Sequence, residues 1–153
     1  MKNGKKSVVI LVADDDPEDC LFIKDAFKEG LLANGLRFVE DGEELMGYLR
    51  HQGKYEDPSL APRPGIILLD LNMPKKDGRE ALKEIKSDPD LRSIPVVILT
   101  TSKDEEDILR SYDLGANSYV TKPVTFAGLV HAIKSLGKYW LEIVELPLER
   151  KER

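Results

Sequence analysis

The chain has 153 residues, a single cysteine and a formal net charge of −5, a size that suits one domain with a well-buried core. Hydrophobic residues make up 41% and charged residues 33%, the balance of a soluble globular protein, and no apolar run approaches the ~20 residues of a bilayer span. The acidic balance argues against nucleic acid as the main partner. The basic start, Met1 to Lys6, leads into an apolar run that breaks at Asp14, too early and too acidic for a secretory signal, so a cytoplasmic protein is expected. Cys20 alone excludes an intrachain disulfide and reads as a small packed hydrophobe.

Ser7 to Ala13 is apolar and β-branched, as expected of a strand covered on both faces. Asp16-Pro17 starts a helix, with Asp16 as N-cap, Pro17 at the first helical position and Leu21, Ile23, Ala26 and Phe27 facing inward. Asn34-Gly35 ends that region, and Leu36 to Val39 forms a short second strand. Asp41-Gly42-Glu43-Glu44 opens a second helix that fades by Gly53. Lys54 to Gly65 contains three prolines and reads as a loop, long for such a connection.

Ile66 to Asp70 is the third strand and Gly78 to Ser87 the third helix, with Ala81, Leu82 and Ile85 on its apolar face. Pro95 to Thr100 is the fourth strand, Asp104 to Asp113 a charged helix, and Ser118 to Thr121 a short fifth strand. A long helix begins near Thr125. Strands alternating with helices imply a doubly wound five-stranded parallel α/β sheet, because right-handed crossovers place helices on both faces.

Parallel strands bring Asp14-Asp15, Asp70, Thr100 and Lys122 to one edge of that sheet, where ligands of open α/β folds bind. Carboxylates crowded there repel: at about 4 Å each pair costs roughly 1 kcal/mol in water and about 4 kcal/mol at an effective dielectric near 20. A divalent cation is the natural compensator, and a metal-associated Asp points to phosphoryl chemistry.

Four segments occur in order: Ile10-Leu11-Val12-Ala13-Asp14-Asp15-Asp16-Pro17, Leu68-Leu69-Asp70-Leu71-Asn72-Met73-Pro74 with Asp77-Gly78, Leu99-Thr100-Thr101-Ser102, and Tyr119-Val120-Thr121-Lys122-Pro123. Together they resemble the receiver domain of two-component response regulators over roughly Ser7 to Leu136. The resemblance implies a flavodoxin-like fold with strand order 2-1-3-4-5. It implies Asp70 as phosphoacceptor, and Mg²⁺ held by Asp15, Asp70 and the backbone carbonyl of Asn72, with Asp14 acting mostly through water. Lys122 and Thr100 would pair with phosphate oxygens. Thr100 and Tyr119 match the family's switch pair, in which an aromatic ring fills space that the hydroxyl vacates. The Lys122-Pro123 bond is often cis in this family, and the sequence permits either isomer.

From Thr125 to Val144 the helical spacing of Leu129, Ile133, Leu136, Trp140, Ile143 and Val144 gives about 20 residues, or roughly 30 Å of helix. A strand of five residues spans only ~17 Å, so the helix is expected to overhang. Tyr139, Trp140, Ile143 and Val144 are then expected to lack an intramolecular partner and to form a homodimer interface or another protein contact, the alternative being that the segment folds back onto its own domain. The expected organisation is one receiver domain over 1–153: a core at about 7–136, a helical extension at about 137–146, a charged tail at 147–153, and no output domain. The extension, the proline loop and Asp70 to Glu80 resemble the single-domain regulators that accompany bacterial and cyanobacterial phytochromes. That implies a sensor histidine kinase as phosphodonor, with a bacteriophytochrome the specific expectation. Two other readings compete: a phosphohydrolase of the haloacid dehalogenase type, which wants an Asp where this chain has Asn72, and an unphosphorylated pseudo-receiver that only binds partners.

Overall fold

The computed structural model describes residues 8–29 and 35–147; the basic N-terminus, the expected helix end at Asn34 and the tail from 148 onward lie outside them. Five strands, β1 (Ile10–Ala13), β2 (Leu36–Val39), β3 (Ile66–Leu69), β4 (Val96–Thr100) and β5 (Ser118–Thr121), alternate with helices α1 (Pro17–Glu29), α2 (Gly42–Leu49), α3 (Gly78–Ser87), α4 (Glu105–Asp113) and α5 (Phe126–Lys138). All strand pairings are parallel and the order is β2-β1-β3-β4-β5, as the resemblance implies.

Period-two alternation divides the core into two layers. Ile10, Val12, Ile66, Leu68, Val97 and Leu99 pack with Ile23, Ala26 and Phe27 of α1 and Leu129 and Ile133 of α5. Leu11, Ala13, Ile67, Leu69, Val96 and Ile98 pack instead with Leu45, Met46 and Leu49 of α2 and Ala81, Leu82 and Ile85 of α3. The central strands are therefore apolar at every position but one, Thr100 at the end of β4.

Caps start the helices where the sequence places them. Asp16 Oδ1 accepts the Glu18 and Asp19 N–H groups. At α2, Asp41 accepts the Glu44 N–H while Glu44 Oε1 reaches back to the Glu40 N–H, a variant of the capping box. The long loop holds a single 3₁₀ turn at Gly53–Tyr55. It is tied to α2: Tyr48 donates to the Pro62 carbonyl at 2.7 Å, and His51 Nε2 to the Ala61 carbonyl at 2.8 Å.

The C-terminal helix corrects one expectation. The α-helical part ends at Lys138 and continues as a π-helical turn, Tyr139–Ile143. Trp140, in that π-helical turn, packs beside Ile10 and Ile66, the first residues of β1 and β3, so it lies at the amino rim of the sheet and does not overhang it. There it is buried, 9% exposed, in the α1/α5 layer. Ile10, Phe27, Ile66, Leu68, Leu136 and Leu141 line a small apolar niche with it. Trp140 is thus a core residue, and Val144 also packs against this layer. Tyr139 and Ile143 remain exposed.

Candidate functional site

Backbone hydrogen bonds carry the ladder one residue beyond the strands and fix the site residues level with one another. Asp14 N–H bonds the Val39 carbonyl, Asp70 N–H the Ala13 carbonyl, and Lys122 N–H the Thr100 carbonyl. Since Ala13 is in register with Leu69, Asp14 and Asp70 leave the sheet side by side. The β3–α3 connection then folds back so tightly that a Cβ on Gly78 would lie 2.2 Å from the Asp70 carbonyl oxygen. Only glycine fits there.

Asp14, Asp70, Thr100 and Lys122 are all buried. Lys122 Nζ donates to Asp14 Oδ2 at 2.7 Å, Asp19 Oδ2 at 2.8 Å and Asp70 Oδ2 at 3.1 Å. The other Asp70 oxygen accepts the Thr100 hydroxyl at 2.7 Å and the Asn72 N–H at 3.2 Å. One ammonium therefore serves three carboxylates while exposed Asp15 stands beside them. Burial pushes the Asp14 carboxyl up to about 6, against the pull of Lys122 and of the Asp16 N–H that Asp14 Oδ1 accepts. Burial also works against the charge on Lys122, but its bonds to Asp14 and Asp19 and the charges of Asp14 and Asp70 outweigh it and hold the ammonium above its ordinary range. The centre needs more positive charge than Lys122 supplies.

Carboxylate oxygens of Asp14, Asp15 and Asp70 lie within 4.8 Å of one another. Hard oxygen donors at that spacing, beside exposed Asp15 through which water has access, fit a small divalent cation that keeps part of its hydration. Asn72, exposed and two residues beyond Asp70, sits at the same strand end.

Thr100 and Tyr119 share a sheet face: Tyr119 is in register with Ile98, two residues before Thr100. The Tyr119 ring is half-buried against the α2/α3 layer, and its hydroxyl donates to the Ser102 carbonyl at 3.0 Å. Among the described residues no peptide bond is cis, so Lys122-Pro123 is trans.

Two features had no distinct signal in the sequence. Asp19, in the first turn of α1 beside Glu18, looks like an ordinary helix-start acid, yet it supplies the third partner of Lys122. Arg79 reads as a surface residue of α3, yet it forks onto Asp107 of α4 with bonds of 2.9 and 2.8 Å.

An open parallel sheet whose crevice holds buried carboxylates, one lysine and one threonine has the architecture of a phosphoryl-accepting receiver. The response regulator receiver domain family matches residues 10–134, and the chain belongs to that family. Response regulator Rcp1 of Synechocystis sp. is 45% identical over 139 residues, which are 91% of this chain and 92% of that protein. The crystal structure of the phosphorylated cyanobacterial phytochrome response regulator RcpA superposes with a TM-score of 0.88 at 44% identity, covering 94% of this chain and 100% of that one. The Mn²⁺-bound form of Rcp1 gives 0.86 at 44% identity, covering 92% and 99%.

Proposed function

We propose that Asp70 is the phosphoacceptor of a Mg²⁺-dependent switch whose donor is the phosphohistidine of a sensor kinase of the phytochrome type. The observation that carries this is the charge imbalance of the crevice: Asp14, Asp19 and Asp70 share one buried ammonium, and Asp15 stands beside them. An Asp70 oxygen attacks phosphorus, the P–N bond breaks, and the histidine nitrogen leaves with the electron pair and takes up a proton. Lys122 and Thr100, already bonded to the two Asp70 oxygens, lie within reach of the oxygens of an arriving phosphoryl group. Asp14, Asp15, Asp70 and the Asn72 carbonyl would hold Mg²⁺, which neutralises charge on the transferring group. Similarity to a protein crystallised with Mn²⁺ supports a divalent ion, and similarity to RcpA supports the kinase class.

The reading is of a cytoplasmic switch and not of an enzyme that turns over an external ester. Asn72, where a phosphohydrolase of the haloacid dehalogenase type wants a second acid, has a carboxamide that does not titrate and so cannot act as general acid or base. Homodimerisation is part of the proposal, through exposed Tyr139 and Ile143 with buried Trp140 excluded; sedimentation with and without a phosphoryl analogue tests it. A small-molecule phosphodonor with Mg²⁺ is expected to add one phosphoryl group, seen by intact mass, and Asp70→Asn to abolish it. Undiminished labelling of that variant would overturn the assignment.

A further inference from the structure

Beyond the crevice, the loop between β4 and α4 is held by a connected set of polar bonds. Asp107 takes Arg79 Nε on Oδ1 at 2.9 Å and Arg79 Nη2 on Oδ2 at 2.8 Å, and Oδ2 also accepts the Ser102 hydroxyl at 2.7 Å. Arg79 Nη1 rests on Asp77, which caps α3 by accepting the Arg79 N–H at 2.7 Å. The Arg79 and Asp107 side chains are 27% and 19% exposed, so this planar two-pronged pair is partly shielded from water, and its charge-assisted bidentate geometry makes it stronger than a single-point surface pair. Arg79, with the Ser102 hydroxyl as second cause, holds the Asp107 carboxyl down to about 2.

Ser102 is the node of the set. Its hydroxyl is held by Asp107, its carbonyl by the Tyr119 hydroxyl, and two residues earlier Thr100 bonds Asp70. If Thr100 turns toward a phosphoryl group, the segment through Ser102 moves with it and the Tyr119 hydroxyl loses its acceptor. The fork ties that segment to α3, which does not belong to the moving strand end.

We propose that Arg79 and Asp107 form a latch that stabilises the unphosphorylated arrangement of the β4–α4 loop and so sets how readily the crevice takes a phosphoryl group. Arg79 is on this view a positioning residue acting through Asp107 and Ser102. The inference rests on Asp70 as phosphoacceptor. Loss of differential stabilisation shifts the two-state equilibrium toward the competent form and raises apparent affinity by the same factor.

Beryllofluoride with Mg²⁺, titrated calorimetrically, is the probe. Arg79→Gln and Asp107→Asn are each expected to bind it roughly fivefold or more tightly than the parent, a typical size for such coupling. The double variant should gain no more than either single one, because both remove the same fork. Mg²⁺ affinity without beryllofluoride should not change, whereas damage to the site would weaken both. Equal or weaker beryllofluoride binding in the folded variants overturns the latch. Asp107→Asn, nearly isosteric, carries the test if Arg79→Gln does not fold. A parent chain that binds no beryllofluoride and takes no phosphate would instead overturn the reading of Asp70, which separates the two failures.

Discussion

The two rims of the sheet are built by the same strands and differ in almost everything else. At the carboxyl rim, Asp14, Asp70, Thr100 and Lys122 are buried together. At the amino rim, Ile10 and Ile66 meet Phe27, Leu136, Trp140 and Leu141. Burying an apolar ring there stabilises the fold, by about 25 cal/mol for each Å² removed from water. Burying carboxylates at the other rim costs free energy that one ammonium recovers only in part. The contrast teaches that the apolar rim can be altered with little effect on the polar one, whereas the polar rim holds its charges together at a cost in stability.

The largest stability effect should come from the apolar rim. Trp140→Ala is expected to cost about 3–5 kcal/mol, measured by urea unfolding, while labelling of the folded protein stays within about twofold of the parent because the sites are far apart. A larger fall in labelling would break the separation. Next is Mg²⁺ itself: at a hundred times its Kd it should raise the unfolding free energy by about 2.7 kcal/mol, read by thermal melts. Loss of the Asp14 carboxylate should remove most of that gain.

Smaller still, Asp14→Asn in metal-free buffer should stabilise the protein by about 1 kcal/mol, since it removes a buried charge yet keeps an acceptor for the Asp16 N–H. Destabilisation would mean that the Lys122–Asp14 pair outweighs its desolvation. The smallest effect concerns acid. Asp107 is held down to about 2, first by its bonds to Arg79 and then by Ser102. Its folded value lies below its unfolded one, so its contribution is present above pH ~4 and is lost as pH falls toward ~2. Arg79→Gln should flatten that part of the acid unfolding profile.

The sequence displays the carboxyl rim more openly than the amino rim. Asp14 and Asp70 follow apolar runs, Thr100 ends one and Lys122 follows the short fifth strand, so topology alone gathers them. Strand order came from resemblance to a family, since periodicity shows which faces are buried but not which strands pair. Trp140 lies on the apolar face of its helix in the sequence, but the sequence does not show what that face meets. The ring seats in a niche formed by β1, β3 and α1, and spacing along one helix does not show where that helix begins relative to the sheet. That niche exists only once those elements have packed. Asp19 and Asp107 were hidden for a similar reason. Each is one acid among several on its helix, and only the crossing of distant segments singles it out.

The central claim, that the polar rim exists to phosphorylate Asp70, is tested most directly by locating the phosphoryl group. The chain is treated with phosphodonor and Mg²⁺, digested, and the adduct mapped by mass. A single adduct on the peptide carrying Asp70 is the predicted result. An adduct on Asp14 or Asp15, or none from protein shown to bind Mg²⁺, would contradict it.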